Sequence, residues 1–209
     1  MDTLIETVRI RNGAAPLWYL HVRRLATSCR ALGVPIPTEL ITPEGGGDRV
    51  HRLLVSRRGV VAGERPVGSM APVRLVTSKV VHRAYPHKLV DRERFDRALA
   101  DAKAAGADDG LLLTPGGQVA ETAIWGVFWW EDGQVAAPAL EIGVLPGVAR
   151  ARIVELVGVQ ERKATIDEIR GRSLFVANAV RGVLPVASLD GAAVPEQADT
   201  EALATRFWP

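Results

Sequence analysis

Residues 106–155 read GADDGLLLTPGGQVAETAIWGVFWWEDGQVAAPALEIGVLPGVARARIVE. The apolar run Leu111, Leu112, Leu113 has the character of a strand, and Pro115-Gly116-Gly117 closes it with a turn. An acid, Glu121, stands just before a second apolar and aromatic run, Ile124 to Trp130. Pro146-Gly147 then opens a helix-like segment running from about Val148 to Val157. An acid beside strands and a glycine-opened helix start, so close in the chain, can hold a phosphorylated heterocycle. The acid would sit at the ring and the helix N-terminus at the phosphate.

Working outward, the composition sets limits. The chain has 209 residues, enough for one substantial domain or two small ones sharing a core. With 47% hydrophobic and 24% charged residues it is ordinary globular material rather than disordered or fibrous. A formal net charge of +2 is too small a surplus to argue for nucleic acid, and the arginines are scattered between apolar residues rather than gathered in a stripe. One cysteine, Cys29, rules out an intramolecular disulfide framework and fits a reducing cytoplasm. No run of eighteen apolar residues predicts a membrane helix, and the N-terminus lacks the basic and apolar regions of a signal peptide. The expectation is a soluble, cytoplasmic protein.

Leu4 to Arg11 is predicted as a strand ending in an Asn12-Gly13 turn. Leu17 to Leu32 has helical spacing and stops at Gly33. Three prolines and the run Gly45-Gly46-Gly47 make Val34 to Asp48 a loop or linker. Val50 to Ser56 reads as a strand, Arg57 to Gly68 as a turn-rich excursion and Pro72 to Val81 as a strand. Asp91 to Ala105 is predicted as a helix capped by Asp91 and ended by Gly106. Thr165 to Ile169 is a helical turn with Thr165 and Glu168 at capping-box positions. Leu174 to Ala177 and Val183 to Ala187 read as strands, and Glu196 to Phe207 as a terminal helix. A boundary near residue 70 divides a small lobe, 1–70, from a larger one, 71–209.

Several chemistries lack their signatures. The histidines at 21, 51, 82 and 87 have no metal-ligand spacing, so no metal site is expected. Neither a nucleophile elbow, a P-loop nor a Gly-x-Gly-x-x-Gly fingerprint occurs. What remains is a lysine, an acid, an arginine and a helix-opening glycine in a particular order.

That order resembles the fold-type IV pyridoxal-phosphate enzymes, which include branched-chain and D-amino-acid aminotransferases and aminodeoxychorismate lyases. Six segments carry the resemblance over nearly the whole chain: IETVRI, HVRRLATSCRALG, HKLVDR, ADDGLLLTPGGQVAETAIWGVFWW, VLPGVARARIVEL and LFVANAVRGVLPVASLDG. It implies an α+β fold of two lobes, a small α/β lobe plus a larger lobe with a β-barrel-like core and surrounding helices. It implies pyridoxal 5'-phosphate as cofactor, a small amino compound as substrate, and a homodimer without nucleic-acid or membrane partners. Lys88 matches the position whose amine bonds the cofactor aldehyde as an imine, with burial lowering its pKa. Glu121 would face the pyridine nitrogen. Gly147, Val148 and Ala149 would hold the phosphate on backbone N–H groups, helped by the helix dipole. Arg24, in the spacing His21-x-x-Arg24-Leu25, matches the phosphate-binding arginine. Asn178 lies in the sequence around the phosphate pocket, with a structural turn as its equal alternative. Thr7 and Thr122 would approach the substrate, although each also reads as a half-buried strand threonine. Trp125, Phe128, Trp129 and Trp130 read as core and dimer interface.

The sequence also departs from the pattern. It starts where family members have further N-terminal strands, so a shortened small lobe is expected. Gly126 stands where an asparagine is usual, and Ala179 where aminotransferases often carry threonine, which tilts the reading towards the lyases. Two functions from different classes follow. One is a lyase or transaminase working through Lys88. The other is a degenerate relative that binds cofactor or partner without turnover. A basic nucleic-acid-binding module is a distant third.

Overall fold

The computed structural model describes residues 2–38, 40 and 42–209. Strand β1, Leu4–Ile10, is covered on both faces, and Leu4, Ile5, Val8 and Ile10 are all buried. Its dipeptide Asn12-Gly13 takes left-handed angles, φ 50° and 79°, and Arg11 and Ala14 exchange two backbone hydrogen bonds across it. This is the turn that an Asn-Gly pair favours. It feeds helix α1, Trp18–Leu32, which ends at Gly33 with φ 61°. The described residues between Val34 and Asp48 hold no helix or strand; Glu39 and Ile41 lie outside the described residues.

Strands β2, Arg49–Ser56, and β3, Gly59–Arg65, complete a three-stranded antiparallel sheet in the order β1-β2-β3. Here the structure corrects the sequence reading, because β3 lies in the segment expected to be a turn-rich excursion. All seven of its residues are exposed. An edge strand with no buried face leaves no hydrophobic alternation to read.

The other edge of β1 is occupied by the segment around residue 88. Ile5 N–H donates to the Lys88 carbonyl (2.8 Å), and Val90 N–H to the Thr3 carbonyl (2.9 Å). β1 therefore has β2 on one side and the Lys88 segment on the other.

The second sheet contains nine strands. These are β4 (Val73–Val81), β5 (Asp109–Leu113), β6 (Val119–Thr122), β7 (Gly126–Glu131), β8 (Gln134–Pro138), β9 (Gln160–Arg162), β10 (Leu174–Asn178), β11 (Gly182–Leu189) and β12 (Ala192–Ala193). The order is β6-β5-β4-β11-β10-β7-β8-β9, with β12 on β11, and the sheet curls into a half-barrel. The first sheet ends at Arg65 and this one begins at Val73.

Helices α2 (Glu93–Ala104), α3 (Val148–Val157), α4 (Ile166–Ile169) and α5 (Ala198–Arg206) complete the architecture. The α+β expectation holds. Asp91 does not cap α2: the N-cap is Arg92, with no capping side-chain hydrogen bond. The capping box of Thr165 and Glu168 is formed as read. The expected strand from Ile124 begins at Gly126, and β6 was not separated from the Pro115 turn that precedes it.

The aromatic run owes its burial to alternation. Val127 and Trp129 enter the cluster of Leu75, Leu111, Val176 and Leu184, whereas Phe128 enters the cluster on the opposite face with Phe175, Ile153 and Phe207. Both faces of β7 are covered, so consecutive large side chains all find cores. Trp130 is only partly buried, and its indole N–H donates to Thr200 Oγ1 at 2.8 Å.

Candidate active site

A cavity of about 440 Å³ opens between β1, the Lys88 segment, β6, the start of α3 and the β10–β11 turn. All nine residues singled out in the sequence line it: Thr7, Arg24, Lys88, Glu121, Thr122, Gly147, Val148, Ala149 and Asn178.

Lys88 is held by its neighbours before its amine does anything. Its carbonyl is bonded to β1, Tyr85 Oη donates to the Leu89 carbonyl (2.6 Å) and accepts from the Leu89 N–H (2.7 Å), and His87 Nδ1 lies 3.1 Å from Ser28 Oγ on α1. The Lys88 Nζ donates to Thr7 Oγ1 at 3.3 Å. The residue is only partly accessible, and its amine end is surrounded by protein. Burial, with repulsion from Arg24, brings it down to about 7, and Glu6 offsets this only in part. At neutral pH about half of such amines carry a free electron pair.

Glu6 was not singled out by the sequence reading. It points inward from β1, and α1 presents His21 and Arg24 to it from positions three apart, on one helical face. Arg24 donates from Nε to Glu6 Oε1 (2.9 Å) and from Nη2 to Oε2 (2.5 Å), and His21 Nδ1 is 2.6 Å from Oε2. Burial alone would raise this carboxyl, but Arg24 and His21 together hold it at about 2. The expected phosphate-binding arginine is thus already paired through two of its nitrogens, and among the described residues its Nη1 has no acceptor. Only the inward position of a glutamate immediately before Thr7 could have hinted at this.

Glu121 is buried on β6, and its Oε1 has no hydrogen-bond partner. Burial pushes the carboxyl up to about 8, with the Leu145 N–H, Arg92 and Arg94 offsetting it in part. His82 Nδ1 lies 3.6 Å from that oxygen and is itself unpartnered. Burial and the Arg94 charge hold the imidazole below its ordinary range. The two are therefore neighbours in mostly neutral forms rather than a formed ion pair.

Thr122 is bonded elsewhere. Its hydroxyl donates to Asp109 Oδ2 (2.7 Å) and accepts from the Trp125 N–H (2.9 Å), fixing the turn between β6 and β7. Asn178 makes a turn as well, its Oδ1 accepting from the N–H groups of Val180 (3.0 Å) and Arg181 (2.8 Å). At α3, Gly147 is the N-cap, and the N–H groups of Val148 and Ala149 precede any intrahelical acceptor. Arg150 pins this helix start, donating to the Pro138 carbonyl (2.7 Å) and to Glu161 (2.8 Å).

The cavity therefore brings together a nucleophilic amine, a costly unpaired carboxyl and free backbone donors at a helix start. Comparison with known proteins agrees with that combination. Residues 59–189 match the family model described as amino-transferase class IV. An aminodeoxychorismate lyase of Vibrio harveyi is 23% identical over 228 residues, with 90% of this chain and 83% of that one covered. A chloroplast branched-chain-amino-acid aminotransferase of Arabidopsis thaliana is 26% identical over 221 residues, covering 88% of this chain, which spans about half (52%) of that relative. The crystal structure of a 4-amino-4-deoxychorismate lyase from Pseudomonas aeruginosa superposes with a TM-score of 0.86 at 25% identity, covering 99% of this chain and 90% of that one.

Proposed function

The chain belongs to the amino-transferase class IV family, and from that premise we propose that it is a pyridoxal-phosphate enzyme acting on the amino group of a small amino compound, as a lyase or an aminotransferase. The observation that carries the reading is that Lys88 and Glu121 face one cavity, each pushed far from its ordinary protonation range. Active sites are where such shifts gather.

The residues present fit the cofactor. The orphaned Glu121 Oε1 would gain the partner it lacks in the ring nitrogen. Val148 and Ala149 would offer N–H groups to the phosphate at the positive end of α3, with Gly147 admitting a close approach and Arg24 adding charge. Asn178 would contribute by fixing the turn beside them. Lys88 would hold the aldehyde end covalently. When bound, the cofactor supplies a sink for the electron pair released as a bond to the amine-bearing carbon breaks.

Lys88 carries the proton chemistry. An amine poised at about 7 can accept a proton and return it without a large penalty either way. Thr7 Oγ1 would orient that amine, and Thr122 would shape the wall through the turn it holds with Asp109. Ala179 offers no hydroxyl towards the phosphate, which favours the lyase branch over the transaminase one.

By the same reading the protein is a cytoplasmic homodimer whose lobes meet near residue 70, without nucleic-acid or membrane partners. Cys29 is buried and unpaired, and among the described residues no helix is long and apolar enough to cross a membrane. The perturbed amine and carboxyl lend no support to a non-catalytic relative.

The test is the visible spectrum of the purified protein after addition of pyridoxal phosphate. Wild type should gain a visible band that shifts on adding an amino substrate, and Lys88→Ala should lack it. Identical spectra for the two proteins would remove Lys88 from this role. Release of pyruvate from aminodeoxychorismate without an added keto acid would select lyase; dependence on a keto-acid acceptor would select transaminase.

A further inference from the structure

Behind the Glu121 carboxyl lies an imidazole whose ring makes no hydrogen bond. His82 directly follows β4, and its backbone N–H donates to the Leu113 carbonyl at the end of β5 (2.8 Å). β5 also pairs with β6, which carries Glu121, through Leu111 and Thr122. One strand therefore sets the position of both side chains. Glu121 lines the cavity and His82 does not, so the imidazole stands on the protein side of the carboxyl.

Both groups are buried, and both are unmet where they face each other. His82 Nδ1 and Glu121 Oε1 lie 3.6 Å apart, each without a hydrogen-bond partner, and His82 Nε2 has none either. A buried polar atom without a partner is costly, and here a possible donor and an acceptor stop just beyond bonding distance.

The other charged groups nearby are committed elsewhere. Among the described residues Glu121 forms no ion pair with a lysine or an arginine, and His82 Nδ1 is the one basic nitrogen beside it. Arg92 Nη2 donates to the Ala123 carbonyl and Arg94 Nη2 to the Arg83 carbonyl. The Arg94 guanidinium lies over the rings of Tyr85 and Phe95, at 5.0 and 4.6 Å. Both arginines of α2 thus reach Glu121 through charge alone, with the Leu145 N–H offsetting a further part of its burial. Tyr85, the remaining titratable group near the carboxyl, is tied through its hydroxyl to Leu89. The carbonyls of Ile142 and Gly143 flank the imidazole and favour a ring that donates.

We infer that His82 is the positioning residue for Glu121: its Nδ1–H donates to Oε1 once the carboxyl is ionised, and so holds Glu121 as a carboxylate turned towards the ring nitrogen. The inference rests on the cavity taking pyridoxal phosphate. An ionised Oε1 accepts through two lone pairs, so a donor behind it does not displace one in the cavity. Without a donor on its buried side, the carboxylate would revert to the neutral acid and offer the ring nitrogen no charge. Closing the gap to hydrogen-bond length asks for a shift of about 0.7 Å, which side-chain adjustment supplies.

The experiment follows the carboxyl itself. Infrared difference spectra are recorded at pH 7 on the empty protein and after saturation with pyridoxamine 5'-phosphate, which fills the site without a covalent bond to Lys88. Glu121→Gln identifies the Glu121 band. Calorimetry gives the affinity for the same compound, and urea titration the stability of each apoprotein. The variants are His82→Leu, which removes the donor at similar volume, and His82→Asn, whose amide N–H falls near the place of Nδ1. Wild type should show the C=O stretch of a protonated carboxyl when empty and lose it when loaded. His82→Leu should keep that band when loaded and bind about tenfold to a hundredfold more weakly. His82→Asn should recover most of the affinity and the ionised carboxyl. The His82→Leu apoprotein should be no less stable than wild type, since two unmet buried nitrogens are gone.

A His82→Leu protein that loses the carboxyl band on loading and binds as wild type does overturns the inference and leaves the cofactor reading intact. So does a folded His82→Asn protein that binds as weakly as His82→Leu, because packing rather than donation would then account for the loss. Selective 15N labelling of histidine needs no His82 variant to fold: loading wild type should bring out a hydrogen-bonded ring N–H that loading Glu121→Gln does not, and its absence overturns the inference. A wild type that takes up neither pyridoxamine phosphate nor pyridoxal phosphate brings down the cofactor reading and the inference with it.

Discussion

Three ionisable residues carry opposite relations to the protein interior. Glu6 is buried but doubly paired, and its pKa falls to about 2 against 4.5 for an ordinary glutamate. A carboxyl lowered in the folded state stabilises it above the unfolded value, and that contribution is lost as pH falls from about 4.5 towards 2. It is worth roughly 3 kcal/mol. Glu6→Gln should therefore flatten the acid limb of stability in urea titrations over that window, and it should destabilise the protein at pH 7 because Arg24 and His21 lose an anionic acceptor. Glu121 has the reverse sign. Raised to about 8, it costs the apoprotein nothing below about 4.5, and the cost grows until pH passes 8. Glu121→Gln should make the apoprotein more stable than wild type above pH 8 and equal to it near pH 4, while weakening retention of pyridoxal phosphate. An apoprotein that loses stability at pH 8 on this substitution would mean that Glu121 is paired in its ionised form. For Lys88, lowered to about 7, the free amine is depleted at acid pH, so uptake of pyridoxal phosphate should slow as pH drops below about 7, as followed by the rate at which the visible band appears.

At the scale of elements, the Lys88 segment is clamped between β1 and the short turn Leu140–Ile142. Gly143, at the end of that turn, has φ 87°, and an added Cβ would lie 2.6 Å from Ala84 Cβ, while its carbonyl accepts from the Tyr85 N–H at 2.7 Å. Gly143→Ala should cost about 1–3 kcal/mol and, by pushing on residues 84–85, should also reduce cofactor uptake per folded molecule; a melting curve and a spectrum on one sample read both. Legibility in the sequence followed burial with two exceptions, the buried strands β6 and β8, which were not read as strands. The elements with one or two buried faces, β1, α1, β4, α3 and β10, were readable from apolar pattern and glycine stops. β3 was not, since all its residues are exposed, and β9 and β12 are too short to carry a period. The site divides in the same way. Lys88, Glu121 and the Gly147 helix start sit in family-like motifs and were found. Glu6 acts through contacts with His21 and Arg24 on α1, and no local spacing announces it. The turn roles of Thr122 and Asn178 likewise depend on partners, Asp109 and the β10–β11 turn, that only the fold supplies.

Across the whole molecule, the cavity draws on both sheets: β1, β2 and β3 contribute Thr7, Arg52 and Arg65, and the half-barrel contributes Glu121, the α3 start and Arg181. A ligand held by both should tie them together, so saturating pyridoxal phosphate should raise the melting temperature of wild type in proportion to the logarithm of its concentration. The central claim is that Lys88, and no other lysine, bonds the cofactor. The chain has four lysines, and the other three, Lys79, Lys103 and Lys163, are exposed. Reduction of the pyridoxal-phosphate-loaded protein with borohydride, followed by peptide mass spectrometry, locates the bond directly. The expected result is one pyridoxyl group per chain, on the peptide that contains Lys88; label spread over Lys79, Lys103 and Lys163, or absent from Lys88, would contradict it.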